Sequence, residues 1–214
     1  MARRTKADAQ TTRNNLLDAA EQLFQSRGVS RTSLNDIATA AGTTRGAIYW
    51  HFRDKADLFN AMMERVTLPL ERTLVEARLD EAVNPVAEIR RAMLEGLRII
   101  ATDAQTRRVL QIATHQVEYT AELGAVLERH QHSHREWVGR NLQALQKTFA
   151  LRQLAPPVSL AHVSLGLQAL LEGLVQHWLL DPSAFDLQDV GRTSLDVFLA
   201  GLGLRPHDPP HATA

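Results

Sequence analysis

The chain contains no cysteine. Disulfides, thiolate zinc sites, iron–sulfur clusters and thiol redox sensing are excluded, so any signal it receives arrives through non-covalent binding. Turn formers are scarce as well. Glycine and proline make up about 9% of the 214 residues, against an average of about 12%, and no proline precedes Pro69. A long chain with few turn residues has long elements, and these are expected to be helices. Runs of alternating apolar and polar residues with β-branched enrichment are missing, so no strand is expected. The most apolar stretch, residues 165–180, is interrupted by Gln168, Glu172, Gln176 and His177 and cannot span a bilayer. The basic start at Arg3, Arg4 and Lys6 is followed by polar residues rather than by the apolar segment of a secretory signal. What is present suits a folded chain, 44% apolar and 22% charged. The expectation is an all-α cytoplasmic protein.

Net charge is also lacking, with 24 basic side chains against 24 acidic ones. Bulk charge therefore makes no case for a nucleic-acid partner. The distribution is less even. Residues 1–55 hold nine Lys/Arg and five Asp/Glu, a net of +4, and the remainder carries −4. Such an asymmetry points weakly to a nucleic-acid-binding end.

Apolar spacing and capping residues predict the helices. The first covers residues 11–27 and stops at Gly28. A short second one follows Ser33, which with Asp36 resembles a capping box; Leu34, Ile37 and Ala41 face inward and Gly42 ends it. The third runs from about 44 to 51 with Ala47 and Ile48 inward, and Asp54 caps a fourth that carries Leu58, Met62 and Val66 on one side. Beyond residue 80 the helices lengthen. One begins at Asn84-Pro85 with a stripe of Val86, Ile89, Met93, Leu97 and Ile100. Asp103 can cap the next, with Val109, Ile112 and Ala113 inward. A long helix over 121–151 presents Leu123, Leu127, His130, His134, Trp137, Asn141 and Leu145 on one face. Ser159 caps a strongly apolar helix ending at Asp181-Pro182. The last, over 187–204, is expected to turn Val190, Ser194, Val197, Phe198 and Gly201 inward. This amounts to about nine helices. The divisions expected are 1–54 for DNA binding, 55–205 for ligand binding and dimerisation, and 206–214 as a disordered tail.

Residues 32–55 carry the chemistry. A short helix, a turn at Thr43 and a second short helix opening with Thr44-Arg45-Gly46 form a helix-turn-helix layout, whose second helix enters the major groove N-terminus first. Ser33 lies at the start of the first helix of the pair. Thr44 can cap the second and reach a phosphate, where the helix dipole favours an anion. Arg45 can pair bidentately with guanine, and Gly46 lets the backbone approach DNA. Tyr49, Trp50 and His51 set aromatic and polar tips on the outer face, while Lys55 is placed for another phosphate. Polar short helices with aromatics also occur on ordinary surfaces, so spacing and charge alone leave both readings open.

The stretch TSLNDIATAAGTTRGAIYWHFRDKADLF resembles the DNA-binding signature of the TetR family of bacterial repressors. Gly42, Thr44, Gly46, Ile48, Tyr49, His51 and Phe52 match the core of that signature, as does the helix start at Lys55 to Leu58. Leu16, Leu17, Asp18, Ala19, Ala20, Leu23, Phe24 and Gly28 resemble its first helix. Thr43 departs from it, standing where the family usually has an apolar residue. The opening segment, the GAIYWHF form and the later TRRVLQIATHQVEYT are similar to the AcrR/TtgR-type repressors of multidrug efflux pumps.

This resemblance implies a homodimer on a palindromic double-stranded operator, released by a small hydrophobic, drug-like or aromatic effector bound in the C-terminal domain. The wide stripe of Leu160, Val163, Leu167, Leu170, Leu171, Leu174, Val175 and Trp178 agrees with a partner helix, or with a helix central to its own subunit's core, and Gly191, Ser194 and Gly201 would permit close approach. Interior candidates for the effector are Val66 and Leu70; Met93 and Leu97; Leu110, Gln111 and Thr114; His134, Trp137 and Asn141; Gln168, Leu171 and Glu172. Taken singly, each apolar one is more commonly ordinary core than pocket wall. Glu172 on an apolar face needs a partner, either a cationic ligand or an internal basic group. Pro69 either kinks the fourth helix as a hinge, freeing the carbonyl of Arg65, or follows a helix that ends near Val66.

His130 and His134 share a helix face as in zinc-binding helices, with His132 between them, yet no carboxylate or thiolate completes a set. No metal and no cofactor is expected. Enzyme motifs such as G-x-S-x-G, G-x-x-x-x-G-K-[ST] and H-E-x-x-H are missing, so no catalytic residue is assigned. The alternatives are a ligand-independent architectural DNA-binding protein, or a TetR-type activator of a metabolic operon.

Overall fold

A computed structural model describes residues 6–75, 79, 82–118 and 120–204, with the backbone alone for 70–75. Among these residues there is no strand. The elements are α1 (Lys6–Arg27), α2 (Leu34–Ala40), α3 (Arg45–His51), α4 (Lys55–Val75), α5 (Pro85–Thr102), α6 (Ala104–His115), a 3-10 turn (Ala121–Leu123) leading into α7 (Gly124–Leu151), α8 (Leu160–Leu180) and α9 (Leu187–Gly201). The expected tail at 206–214 and the side chain of Leu70 lie outside the described residues.

The chain divides into two compact units that are not consecutive in sequence. Among the described residues, one gathers those up to Thr67 with those from Gln105 to Gln131, and the other those from Leu68 to Ala104 with those from His132 onward. A boundary at 54/55 is therefore not where the packing divides. The reason is the first unit's core. Leu16, Leu17, Ala20 and Phe24 of α1 meet Ala56, Leu58, Phe59, Met62 and Val66 of α4, and Val109, Ile112, Leu123 and Val126 complete the cluster. The rings of Phe24 and Phe59 stand 6.0 Å apart, tilted by 42°. Cutting at 54/55 would strip the three-helix head of half its core. α4 runs unbroken through Pro69 to Val75, so the helix does not end near Val66.

One acid sits inside this core. Glu21 is 3% exposed. Its Oε1 accepts from Gln105 Nε2 at 2.8 Å and from Arg65 Nη1 at 3.4 Å, and Arg108 Nε lies 3.5 Å from Oε2. Arg65 also reaches Asp18 at 2.7 Å. Burial of a carboxylate is tolerated because donors converge on it.

In the second unit α9 packs against α5 and α8. Val86, Leu145, Phe149, Val163, Leu199 and Leu204 form one core cluster. Asn84 and Asp186 cap α5 and α9 as acceptors for Ala87, Gln188 and Asp189 N–H groups, whereas the Ser159 side chain makes no capping bond on α8. The inner face of α9 is Leu187, Gly191, Leu195 and Leu199. The expected phase is corrected in part: Val190, Ser194 and Phe198 are half-buried, with Phe198 packed on the core, but Val197 is 68% exposed and Gly201 is open to solvent. Two contacts fix the rotation. Arg90 grips Asp196 bidentately at 2.6 and 2.8 Å, and Gly191 leaves a slot that Leu97 of α5 fills. Leu127, expected inward on α7, is 36% exposed.

The slot makes a test. A Cβ on residue 191 would overlap Leu97 Cδ1. Gly191→Ala forces Leu97 out of its rotamer or α9 away from α5, and is expected to cost about 1–3 kcal/mol. Urea unfolding measures it. Adding Leu97→Ala should destabilise the Gly191→Ala protein by less than it destabilises the parent, and equal effects in both would refute the contact.

Candidate functional site

Local chemistry builds the helix-turn-helix. Ser33 and Asp36 form a reciprocal capping box on α2: the Asp36 N–H donates to Ser33 Oγ at 3.1 Å, and the Ser33 N–H to Asp36 Oδ2 at 2.9 Å. The Ser33 hydroxyl adds a 2.6 Å bond to the same carboxylate oxygen, and together these hold the Asp36 carboxyl below its ordinary value. Its contribution to α2 is complete above the unfolded-state pKa of about 3.9 and fades as pH falls through the lower folded-state value. Gly42 then turns the chain at φ +65°, a conformation costly for a side chain bearing a Cβ.

Thr44 caps α3, its Oγ1 accepting from the Ala47 N–H at 3.2 Å. Ile48 is the one buried residue of α3, pinned in the first unit's core. The opposite face is therefore turned outward. Arg45 and Gly46 are exposed, Tyr49 is 49% and Trp50 74% exposed. The Arg45 guanidinium lies 5.8 Å over the Tyr49 ring, which shapes its approach without consuming its donors. Trp50 meets His51 edge to face at 4.7 Å. Ser33 is exposed, and Thr43 and His51 are half-buried.

Lys55 is the exception. Its side chain is 6% exposed; Nζ donates to the Thr32 carbonyl at 3.3 Å and pairs with Glu122 at 3.0 Å. Expected to meet a phosphate, it instead ties α4 to the turn before α7. Sequence reasoning could not see Glu122, 67 positions on. Arg53, which the helix-turn-helix spacing does not single out, has a side chain 85% exposed that meets only a 3.7 Å surface pair with Asp57 among its ion pairs. It borders a groove of about 390 Å³ with Ser30, Arg31, Ser33 and Tyr49. Its place directly after the α3 segment was the available signal.

The ligand candidates separate. Val66 is core in the first unit, where Leu110 and Gln111 are half-buried and Thr114 is exposed. In the second unit Met93, Leu97 and Leu171 are buried and Trp137 half-buried. His134, Asn141, Gln168 and Glu172 come together: His134 Nδ1 lies 3.1 Å from Glu172 Oε1, Gln168 Nε2 donates to that oxygen at 2.8 Å, and Asn141 Nδ2 donates to Gln168 Oε1 at 3.3 Å. Glu172 thus has internal partners. His130 and His132 are exposed, and among the described residues no three His, Asp or Glu side chains are grouped to hold a metal. Gly191, taken from the sequence as a site of approach for a partner helix, is filled by Leu97 of its own chain. No helix among the described residues is long and apolar enough to cross a membrane.

Comparison with known proteins gives two family matches: bacterial regulatory proteins of the tetR family over residues 16–62, and the C-terminal region of MAATS-type transcriptional repressors over 84–203. The HTH-type transcriptional regulator AcrR of Shigella flexneri is 33% identical over 199 residues, 93% of each chain. NalD, the secondary repressor of the MexAB-OprM multidrug efflux pump in Pseudomonas aeruginosa, is 36% identical with a TM-score of 0.83, covering 91% of this chain and 98% of that one. A SmeT–triclosan complex is 31% identical with a TM-score of 0.80, covering 96% and 100%; SmeT is the repressor of the Stenotrophomonas maltophilia pump SmeDEF.

Proposed function

The chain belongs to the tetR family of bacterial regulatory proteins, and we propose that it represses a multidrug efflux operon in the cytoplasm, leaving its operator when a small hydrophobic inducer binds. The observation that carries this reading is α3, anchored by Ile48 and presenting Arg45, Gly46, Tyr49 and Trp50 to solvent. An exposed arginine beside a glycine on a capped short helix suits a major groove: the fork reads guanine while the missing side chain admits the backbone. Thr44 Oγ1, which only accepts in its cap, keeps a hydroxyl hydrogen for a phosphate at the start of α3, whereas the Ser33 hydroxyl is already given to Asp36. Relatives that repress efflux pumps, and one that binds triclosan, support the regulated operon and the class of inducer.

Exposed apolar side chains on the last two helices support a homodimer. Leu165 and Leu180 of α8 are 50% and 69% exposed, and Val197 of α9 is 68% exposed. Burying this surface against a second copy removes it from water and pairs two recognition helices on half-sites about 34–36 Å apart. The operator is then a palindrome.

Arg45→Ala tests the recognition helix. It is expected to weaken binding to the operator by about 1–3 kcal/mol and to relax base preference at the contacted position. Fluorescence anisotropy on the promoter palindrome and on scrambled DNA separates the outcomes. An equal loss on both makes Arg45 a phosphate contact. The reading as a sensor of hydrophobic compounds fails if no compound in a broad hydrophobic panel weakens operator binding.

A further inference from the structure

We propose that Asn141 is a docking point for an inducer that carries a hydrogen-bond donor on an apolar body, such as an alcohol or a phenol. The proposal rests on the reading of the chain as a ligand-released repressor and adds the chemical class that its second unit selects.

The argument begins at Glu172. A carboxylate oxygen only accepts, so Gln168 presents its NH2 group to Glu172 Oε1, at 2.8 Å. The Gln168 carbonyl is thereby turned to Asn141, which must answer with its own NH2 group, at 3.3 Å. Turning both amides over would set the Gln168 carbonyl against the carboxylate. One negative group therefore fixes the direction of the whole chain, and the Asn141 carbonyl oxygen is left at its buried end. That oxygen has no hydrogen-bond partner, in a residue that is 0% exposed. A buried acceptor without a donor is costly, and a donor brought to it recovers that cost.

The surroundings say what the rest of such a molecule must be. Asn141 lines a cavity of about 10 Å³ with Ile89, Arg90, Met93, Leu145 and Leu167. Arg90 is committed to Asp196 by two bonds, so the remaining walls offer apolar contact. The space holds about one water, and Met93, with three rotatable bonds and a polarisable sulfur, is the wall that yields to a larger occupant. An ether or ketone of the same shape would set its own lone pairs against Asn141 and gain nothing there. Glu172 Oε1 already holds His134 and Gln168, so the acceptor of this chain left without a donor is the buried Asn141 carbonyl.

The experiment compares 4-butylphenol with its methyl ether, 4-butylanisole, by calorimetric titration of the full chain without DNA. The phenol is expected to bind about tenfold more tightly. In Asn141→Leu the gap should shrink to within about twofold, because the acceptor is gone. In Glu172→Gln it should narrow as well, because a neutral amide no longer dictates which way Gln168 and Asn141 turn. Circular dichroism checks each fold, and Glu172, half-buried, tolerates replacement even if position 141 does not. Equal binding of the two compounds to the parent protein overturns the proposal and leaves Asn141 holding a water alone. So does binding of neither, or a gap that survives in a folded variant. A protein released from its operator by other hydrophobic compounds, yet indifferent to this pair, keeps the function proposed above and loses only this inference.

Discussion

Phe59→Ala is expected to destabilise the protein by about 3–5 kcal/mol. Phe59 is 1% exposed and shares the first unit's core with Phe24, Leu16, Met62 and Ile112. Truncation removes the ring's burial and its tilted contact with Phe24, and leaves a void that the surrounding helices close only in part. The loss compares with the entire stability of many domains, about 5–15 kcal/mol. Urea unfolding followed by circular dichroism measures it, and a cost below about 1 kcal/mol would contradict the packing. The consequence reaches function through Ile48, which holds α3 to the same core. Operator binding should fail with the loss of folded protein, while the folded fraction keeps its base preference.

Glu21→Ala follows, with an expected cost of about 3 kcal/mol, the low end for breaking a buried ion pair. The low end applies because the basic partners are not all stranded. Arg65 keeps Asp18 at 2.7 Å with its side chain 27% exposed, and Arg108 is 39% exposed. Gln105 loses the acceptor of its 2.8 Å bond. Glu21→Gln keeps the shape and one acceptor, and should cost less. A double-mutant cycle with Arg65→Ala isolates the pair: Glu21→Ala should cost distinctly less once Arg65 is absent. Additive losses would assign the effect to packing alone.

Much of the architecture was legible in sequence because its signals are local. Ser33 with Asp36, Asn84 before Pro85, Gly42 after an apolar triplet and Asp54 before α4 are caps and stops that act within one turn. The exposed face of α3 was legible for the same reason, since Ile48 and its outward neighbours lie on one short helix. Lys55 shows where such reasoning ends. A lysine at a helix start beside a DNA-reading helix looks like a phosphate contact, until Glu122 arrives from a distant turn and takes the ammonium. The phase of α9 was legible only in part, since Phe198 packs on the core while Val197 is turned to solvent. Its sequence offers two apolar stripes, and only Arg90 and Leu97, on another helix, choose between them.

The amino-acid sequence by itself determined the all-helical architecture, the helix limits to within a few residues, the helix-turn-helix and the family to which it belongs. Tertiary structure alone decided that the first core takes in α4 and residues 105–131, that Lys55 turns inward, and that Gly191 receives Leu97 rather than a partner. It alone set Asn141, Gln168 and Glu172 in one directed chain with an acceptor left over. The physical reason is range. Caps, turns and helical periodicity are settled between neighbours three or four residues apart, whereas burial and hydrogen-bond direction depend on which distant side chain arrives to share the space.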